Sequence, residues 1–464
     1  MKKYKDYQTV SSLWVDSLPI HWEFNKLRSI FWQRKEKNDP VKTKEILSLS
    51  AKAGVELYSQ KAHGGGNKAK DDITKYNIAH EGDLIVNCMN VISGSVGLSK
   101  YYGAISPVYY ALVTRNEKFN RDYYHYVFKI EPFQKSLLPL GRGILMHESS
   151  TGKLNTIRMR ISMSDFNNVN LPVPPRDEQD QIVRYLDWQI SRINHLIHGY
   201  QKQIKLLEER KFTILDQLVH NGILASEFNE YDIEYIGKVP AHWHVLQNHR
   251  IFESAKRKFE GMPTVLSLSQ KDGLIPYSEL NERTLHTASY DNWQLVHEND
   301  LVLNRFKAHL GVFFASKYTG IVTFHYGVYK PKMPLLSKYY ETLYHTQVYK
   351  RVYAGQSKGM TIGLQNLSDT DFYSVYTLYP PYDEQVAIVR EIESVEEKFL
   401  KIRAGIMKQI ELLKEYRTRL ISDVVTGQID VRDVVIPEYT PEEDTEIDTD
   451  DIGEGAEEVA ENAE

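Results

Sequence analysis

The chain has 464 residues, enough for two to four domains, and its 42% hydrophobic and 26% charged content is that of a water-soluble globular protein. A single cysteine, Cys88, excludes an internal disulfide and a cysteine-rich zinc site and fits a reducing cytoplasm; no apolar run of about 18 residues offers a membrane span or an export signal. The net charge of −5 belongs to the C-terminus: residues 437–464 hold 13 Asp and Glu and no Lys or Arg, so residues 1–436 keep 57 basic against 49 acidic side chains, a balance that permits a polyanionic partner.

In chain order, the first element is Pro19-Ile20-His21-Trp22, followed by short segments that read as strands. Asp83-Leu84-Ile85-Val86 reads as a buried strand, and so does Tyr109-Tyr110-Ala111-Leu112-Val113. Between them lies the basic, glycine-rich stretch Lys61 to Lys70, and beyond them Gly141-Arg142-Gly143 and Ser149 to Lys153. Then comes Pro174-Pro175-Arg176-Asp177-Glu178-Gln179, which suits a helix start: proline first, carboxylates in the first turn. The apolar positions Ile182, Leu186, Ile190, Ile193, Ile197, Tyr200, Ile204, Leu207, Ile214 and Leu218 follow the three–four spacing of a coiled-coil stripe, broken at Lys211. That predicts a helix to about Val219, a rod of roughly 60 Å at about 1.5 Å per residue.

The order then repeats. Pro240-Ala241-His242-Trp243 follows its counterpart by 221 positions, Leu266-Ser267-Leu268-Ser269 follows Leu47-Ser48-Leu49-Ser50 by 219, and the block from His297 to Asn304 follows that from His80 to Asn87 by 217. Asp371-Phe372 follows Asp165-Phe166 by 206, and Pro380-Pro381-Tyr382-Asp383-Glu384-Gln385 repeats the helix start at the same offset. A second stripe follows: Ile388, Ile392, Phe399, Ile406, Ile410, Leu413, Leu420 and Val424. Five matched blocks in one order establish a duplication. The loops between the blocks do not match, as expected when one frame displays two recognition surfaces.

Duplicated domains opened by P-x-H-W and closed by P-P-x-x-E-Q before a long helix resemble the specificity subunits of type I restriction–modification systems, over roughly residues 10–435. The resemblance implies an α/β (α+β) fold with two globular target-recognition domains separated by two long antiparallel coiled-coil helices. The expected boundaries are 1–175 for the first domain, 176–222 for the first helix, 223–381 for the second domain, 382–430 for the second helix and 431–464 for an acidic disordered tail. It further implies a cytoplasmic subunit that binds a bipartite, asymmetric site on double-stranded DNA. Two methyltransferase subunits would ride on the central helices, and restriction subunits would join them. S-adenosylmethionine, ATP and Mg would belong to those partners, with none bound by this chain.

Catalytic chemistry is not legible. Tyr379-Pro380-Pro381-Tyr382 lacks the Asp or Asn of a methyltransferase loop, Gly64-Gly65-Gly66 lacks a phosphate-binding frame, and no zinc motif occurs. The reading is therefore a targeting subunit without catalytic or metal residues; the competing reading is a coiled-coil scaffold that binds protein. The DNA-contacting candidates are Lys61, Lys68, Lys70, Lys100, Arg142 and Lys153 in the first copy. In the second they are Arg257, Arg305, Lys307, Lys317, Gln356 and Lys358. These residue types meet phosphates and base edges, although Lys100 and Lys317 recur in both copies and could equally be framework.

Overall fold

The computed structural model describes residues 2–51, 53–60, 72–89, 94–144, 158–223, 226–259, 261, 263–269, 273–279, 290, 292–357 and 366–442. It divides into two compact units: Met1–His198 with Gln409–Thr445, and, within the described residues, Gly199–Lys408. Each long helix is thus shared between the two units.

In the first unit an antiparallel sheet runs in the order Phe31–Arg34, Tyr109–Thr114, Leu84–Asn87, Val96–Leu98. Leu84–Asn87 is buried along its whole length, which is why it reads as a continuous apolar run rather than an alternation. The helices Arg121–Lys129 and Glu131–Ser136 pack Tyr123, Tyr124, Phe128 and Phe133 into an aromatic core with Phe31. A separate two-stranded pairing closes the domain: Glu23–Lys26, just after Trp22, lies against Asn170–Val173, just before Pro174. The hairpin Arg142–Ile144 with Arg158–Arg160 completes the described strands near this end of the chain.

The second unit repeats this plan. Its sheet runs Phe252–Ser254, Tyr326–Pro331, Leu301–Asn304, Phe313–Ala315, and His244–Gln247 pairs with Tyr376–Tyr379. Its core is tyrosine-rich: Tyr329, Tyr339, Tyr340, Tyr344, Tyr349 and Tyr353 are fully buried around Phe313 and Phe372. The Tyr344 hydroxyl donates to Asn248 Oδ1 at 2.7 Å, whereas that of Tyr340 has no hydrogen-bond partner among the described residues.

The long helices span Arg176–Asn221 and Tyr382–Val425, 46 and 44 residues. Within each unit they run antiparallel. In the first, Gln181 Nε2 donates to Val431 O at 3.0 Å and Arg417 Nη1 to Asn194 Oδ1 at 2.9 Å. In the second, Arg403 faces Glu208 at 3.8 Å while Val219 shares a buried cluster with Ile388 and Ile392. The apolar stripe is the contact surface: Ile182, Leu186, Ile193, Ile197, Ile204, Ile410, Leu420 and Val424 are all buried. Each helix also carries a mid-length glycine, Gly199 or Gly405, matched at the repeat offset.

The expected disordered tail needs correction at its start. Residues 431–442 lie along the first helix: Val431 is buried, Glu442 N donates to Ser191 Oγ at 2.9 Å, and the Glu442 carboxylate accepts from His195 at 2.7 Å and His198 at 2.5 Å. Those hydrogen bonds hold the Glu442 carboxyl below its usual range. Beyond the buried Val431, polar side chains of the helix rather than apolar burial hold this strap, so composition gives no sign of it. Residues 443–464 are outside the described residues.

Candidate nucleic-acid interface

The two recurring motifs are halves of one lock. Because Glu23 is registered against Val173, the P-x-H-W and P-P-x-x-E-Q segments are brought side by side. His21 Nε2 then meets Glu178 Oε2 at 2.8 Å, and in the second unit His242 Nε2 meets Glu384 Oε2 at 2.7 Å. Trp243 Nε1 also donates to Glu384, at 2.8 Å. In the first unit the Tyr4 hydroxyl takes that place, its pKa raised by burial and by the Glu178 carboxylate, and Trp22 Nε1 is buried with no hydrogen-bond partner among the described residues.

The glutamine that follows each glutamate fastens the helix to its domain. Gln179 Oε1 accepts Asn120 N at 2.8 Å and its Nε2 donates to Pro174 O at 2.8 Å; Gln385 does the same with Leu336 N at 3.0 Å and Pro380 O at 2.9 Å. Each domain also holds the far end of the other helix. Tyr123 donates to Val425 O and Tyr339 to Val219 O, both at 2.8 Å. These bonds satisfy carbonyls that a helix end leaves open. A domain so gripped presents its loops in a fixed orientation to the helix pair.

Of the sequence candidates, Lys61, Lys68, Lys70, Lys153 and Lys358 lie outside the described residues. The rest are sorted by which end of the sheet they occupy. Arg257 sits at the Asp300 end, where its guanidinium pairs bidentately with that carboxylate. Arg34 and Asp83 form the same pair in the first unit, at 2.7 and 3.0 Å. Arg257 therefore serves the frame, as the carboxylates Asp83 and Asp300 do. Lys317 follows Ser316, whose N–H bonds Asp300 O at 2.8 Å. It lines a cleft of about 530 Å³ with Lys211, Lys338 and Glu396, on the side of the long helices. Lys100 holds the matching place after Ser99 and is exposed. Arg142 is exposed and lies 3.4 Å from Asp165.

At the opposite end, about 13 Å along the strand, Arg305 and Lys307 lie on the turn Arg305–Leu310. This turn packs against the helix Gln347–Gln356, which ends in Gln356. Arg305 is anchored by Asp369 at 2.5 Å, whereas Lys307 is exposed. Arg305 and Lys307 thus lie on a turn that packs against the helix bearing Gln356, while Arg257 and Lys317 sit at the other end of the sheet. Two exposed aromatic rings, Phe306 and Phe324, which a pattern of cations in the sequence does not reveal, lie at the same end. Among the described residues no group of three or more His, Cys, Asp or Glu is placed to hold a metal ion, and no helix is long and apolar enough to cross a membrane.

Residues 19–206 match the family described as type I restriction modification DNA specificity domain. The type I restriction enzyme MjaX specificity subunit of Methanocaldococcus jannaschii is 20% identical over 380 residues, 78% of this chain and 82% of that protein. The MjaVIII specificity subunit of the same organism is 26% identical over 183 residues, 39% of this chain and 38% of that one. Among solved structures, a chain described under the complex assembly and conformational transition of the type I R-M system has a TM-score of 0.59 at 12% identity. The match covers 89% of this chain and 99% of that one, and at such identity it speaks for the fold alone.

Proposed function

We propose that the chain is a type I restriction–modification specificity subunit that reads a split, non-palindromic DNA site with one globular domain per half-site. The observation that carries this reading is the pairing of matched frames with unmatched loops, each frame locked to both long helices. Matching His–Glu locks give each domain one fixed pose, while differing loops give each its own sequence. Lys61, Lys68, Lys70, Lys153 and Lys358 fall in those loops and would meet phosphates and bases with Lys307, Gln356 and Arg142. Arg257 and Arg305 would hold the loops in place through their ion pairs.

The chain's own part is targeting; adenine methylation and cleavage would be carried by partner subunits with S-adenosylmethionine, ATP and Mg, in the cytoplasm. The long helices suit the docking of two methyltransferase subunits. Leu206 and Leu412, equivalent residues at the repeat offset, are 54% and 47% exposed on the first and second helix. Apolar side chains left open at equivalent positions of a duplicated element suit two copies of one partner.

Reconstitution tests the proposal. The chain is mixed with the methyltransferase encoded beside it and S-adenosylmethionine, and modified adenines are mapped by sequencing. Methylation at a split, non-palindromic motif that depends on this chain is expected. Identical methylation without the chain, or no association between the two proteins, overturns the reading.

A further inference from the structure

We propose that each domain displays a variable apolar residue at the end of its sheet, and that in the second domain Phe306 and Phe324 contact the bases of its half-site while Lys307 holds the adjoining phosphate. This rests on the DNA-specificity reading and adds a class of contact to it. The geometry begins with Asn87 and Asn304, which end the matched strands. Each uses its side-chain oxygen to accept the N–H two residues on, Met89 at 3.0 Å and Phe306 at 3.1 Å. One turn thus fixes the same position in both copies, and only the side chain differs.

The neighbouring strand begins opposite these asparagines: Tyr109 pairs with Asn87 and Tyr326 with Asn304. The residues just before it therefore stand beside the displayed side chain. In the first copy they are Pro107 and Val108, an aliphatic pair beside Met89; in the second they are Phe324 and His325. There the His325 ring lies 5.8 Å from Phe306 and 3.9 Å from Phe324, centroid to centroid, making a three-ring cluster. Phe306 is 39% and Phe324 57% exposed. Single exposed apolar residues are ordinary, but two phenylalanines clustered with a histidine on a rigid turn are not.

The turn is rigid because it is held from behind. Arg305 is paired with Asp369, Leu367 N donates to Arg305 O at 3.0 Å, and Ala308 is fully buried. Arg305 is neutralised by Asp369, and the exposed charge that adjoins Phe306 is the cation of Lys307. Residues 304–311, 323–326 and 347–356 contain Arg305, Lys307, Lys350 and Arg351 and no carboxylate. A partner that answers both features must be anionic and present flat or methyl-bearing apolar surface. DNA does so, with phosphates flanking bases and thymine methyl groups.

The test uses the reconstituted complex with S-adenosylmethionine and sequencing of modified sites. Phe306→Ala and Phe324→Ala should relax discrimination about 10-fold at one or two adjacent positions of one half-site, leaving the other half-site unchanged. Met89→Phe should alter the other half-site instead. Lys307→Ala should weaken binding evenly across sequences and lower the salt dependence by about one ion. If Phe306→Ala fails to fold, Phe306→Met, the residue the first copy tolerates there, takes its place. An unchanged motif in the folded Phe306 and Phe324 double variant overturns the aromatic assignment. A wild-type complex whose methylation shows no dependence on this chain instead overturns the specificity reading beneath it.

Discussion

His21 and Glu178 stand 157 positions apart in the chain and 2.8 Å apart in space, and His242 and Glu384, 142 positions apart, meet at 2.7 Å. The motifs that open and close each domain therefore recur as a pair because they bond to each other. Their contact couples the pose of a recognition domain to the first turn of a long helix, where the carboxylate is also favoured by the helix dipole.

The lock should be measurable locally. Glu178→Ala leaves the Tyr4 hydroxyl and His21 without their acceptor in a site where the carboxylate is only 4% exposed, a loss of about 1–3 kcal/mol. Hydrogen exchange should rise across residues 3–22 and 176–182 and stay unchanged at 382–390. Unaltered protection at 176–182 would show that the lock contributes nothing to holding the helix start.

Glycines at the two places on the helices should respond with opposite signs. Gly427, at φ 72°, ends the second helix against the first domain, and a Cβ there would lie 2.4 Å from Pro19 Cδ and 3.1 Å from Trp22. Gly427→Ala should destabilise by more than about 1 kcal/mol through strain and overlap. Gly199 and Gly405 lie in mid-helix with nothing within 4 Å of an added Cβ. Gly199→Ala and Gly405→Ala should each stabilise by about 0.5–1 kcal/mol, read from urea midpoints.

His345 makes the second unit sensitive to acid. Burial, with Lys350 and Lys338 adding to it, pushes this imidazole from its ordinary 6.5 down to about 3. Below about pH 6.5 the unfolded chain takes up a proton that the folded protein refuses until about pH 3. The contribution is thus complete above pH 6.5 and falls as pH drops through that window. His345→Gln removes the titration together with a ring contact to Phe314 at 5.0 Å, whose loss does not vary with pH. Relative to wild type, the variant should gain stability steadily from pH 7 to pH 4. Parallel stability curves would refute the assignment.

Much of this was legible in the sequence, for identifiable reasons. The buried strand Leu84–Asn87 and its mate Leu301–Asn304 announce themselves by unbroken apolar runs, and the helices by a stripe that the structure buries at Ile182, Leu186, Ile388 and Ile392. The lock was not legible, because it depends on Glu23–Lys26 pairing with Asn170–Val173 across nearly a whole domain. Arg257 read as a loop cation because it lies two residues beyond the position matching Arg34, yet it reaches the equivalent aspartate. The rings of Phe306 and Phe324 look like core in a sequence, and only burial shows that they are not.

The helix pair offers a last test, of length rather than chemistry. Two antiparallel helices of 46 and 44 residues, each locked to a domain at its start and held by a domain at its end, would act as a ruler between half-sites. Removing one heptad from both, for example residues 200–206 with 406–412, preserves the three–four stripe and shortens each helix by about 10 Å. Because a heptad is close to two turns, the domains keep nearly the same rotational setting. On DNA, about 10 Å corresponds to roughly three base pairs of the ~34 Å helical repeat. Methylation mapping should then show both half-sites unchanged in sequence and the spacer shortened by about that amount. The same half-sites at the original spacing would mean that the helices do not set the distance.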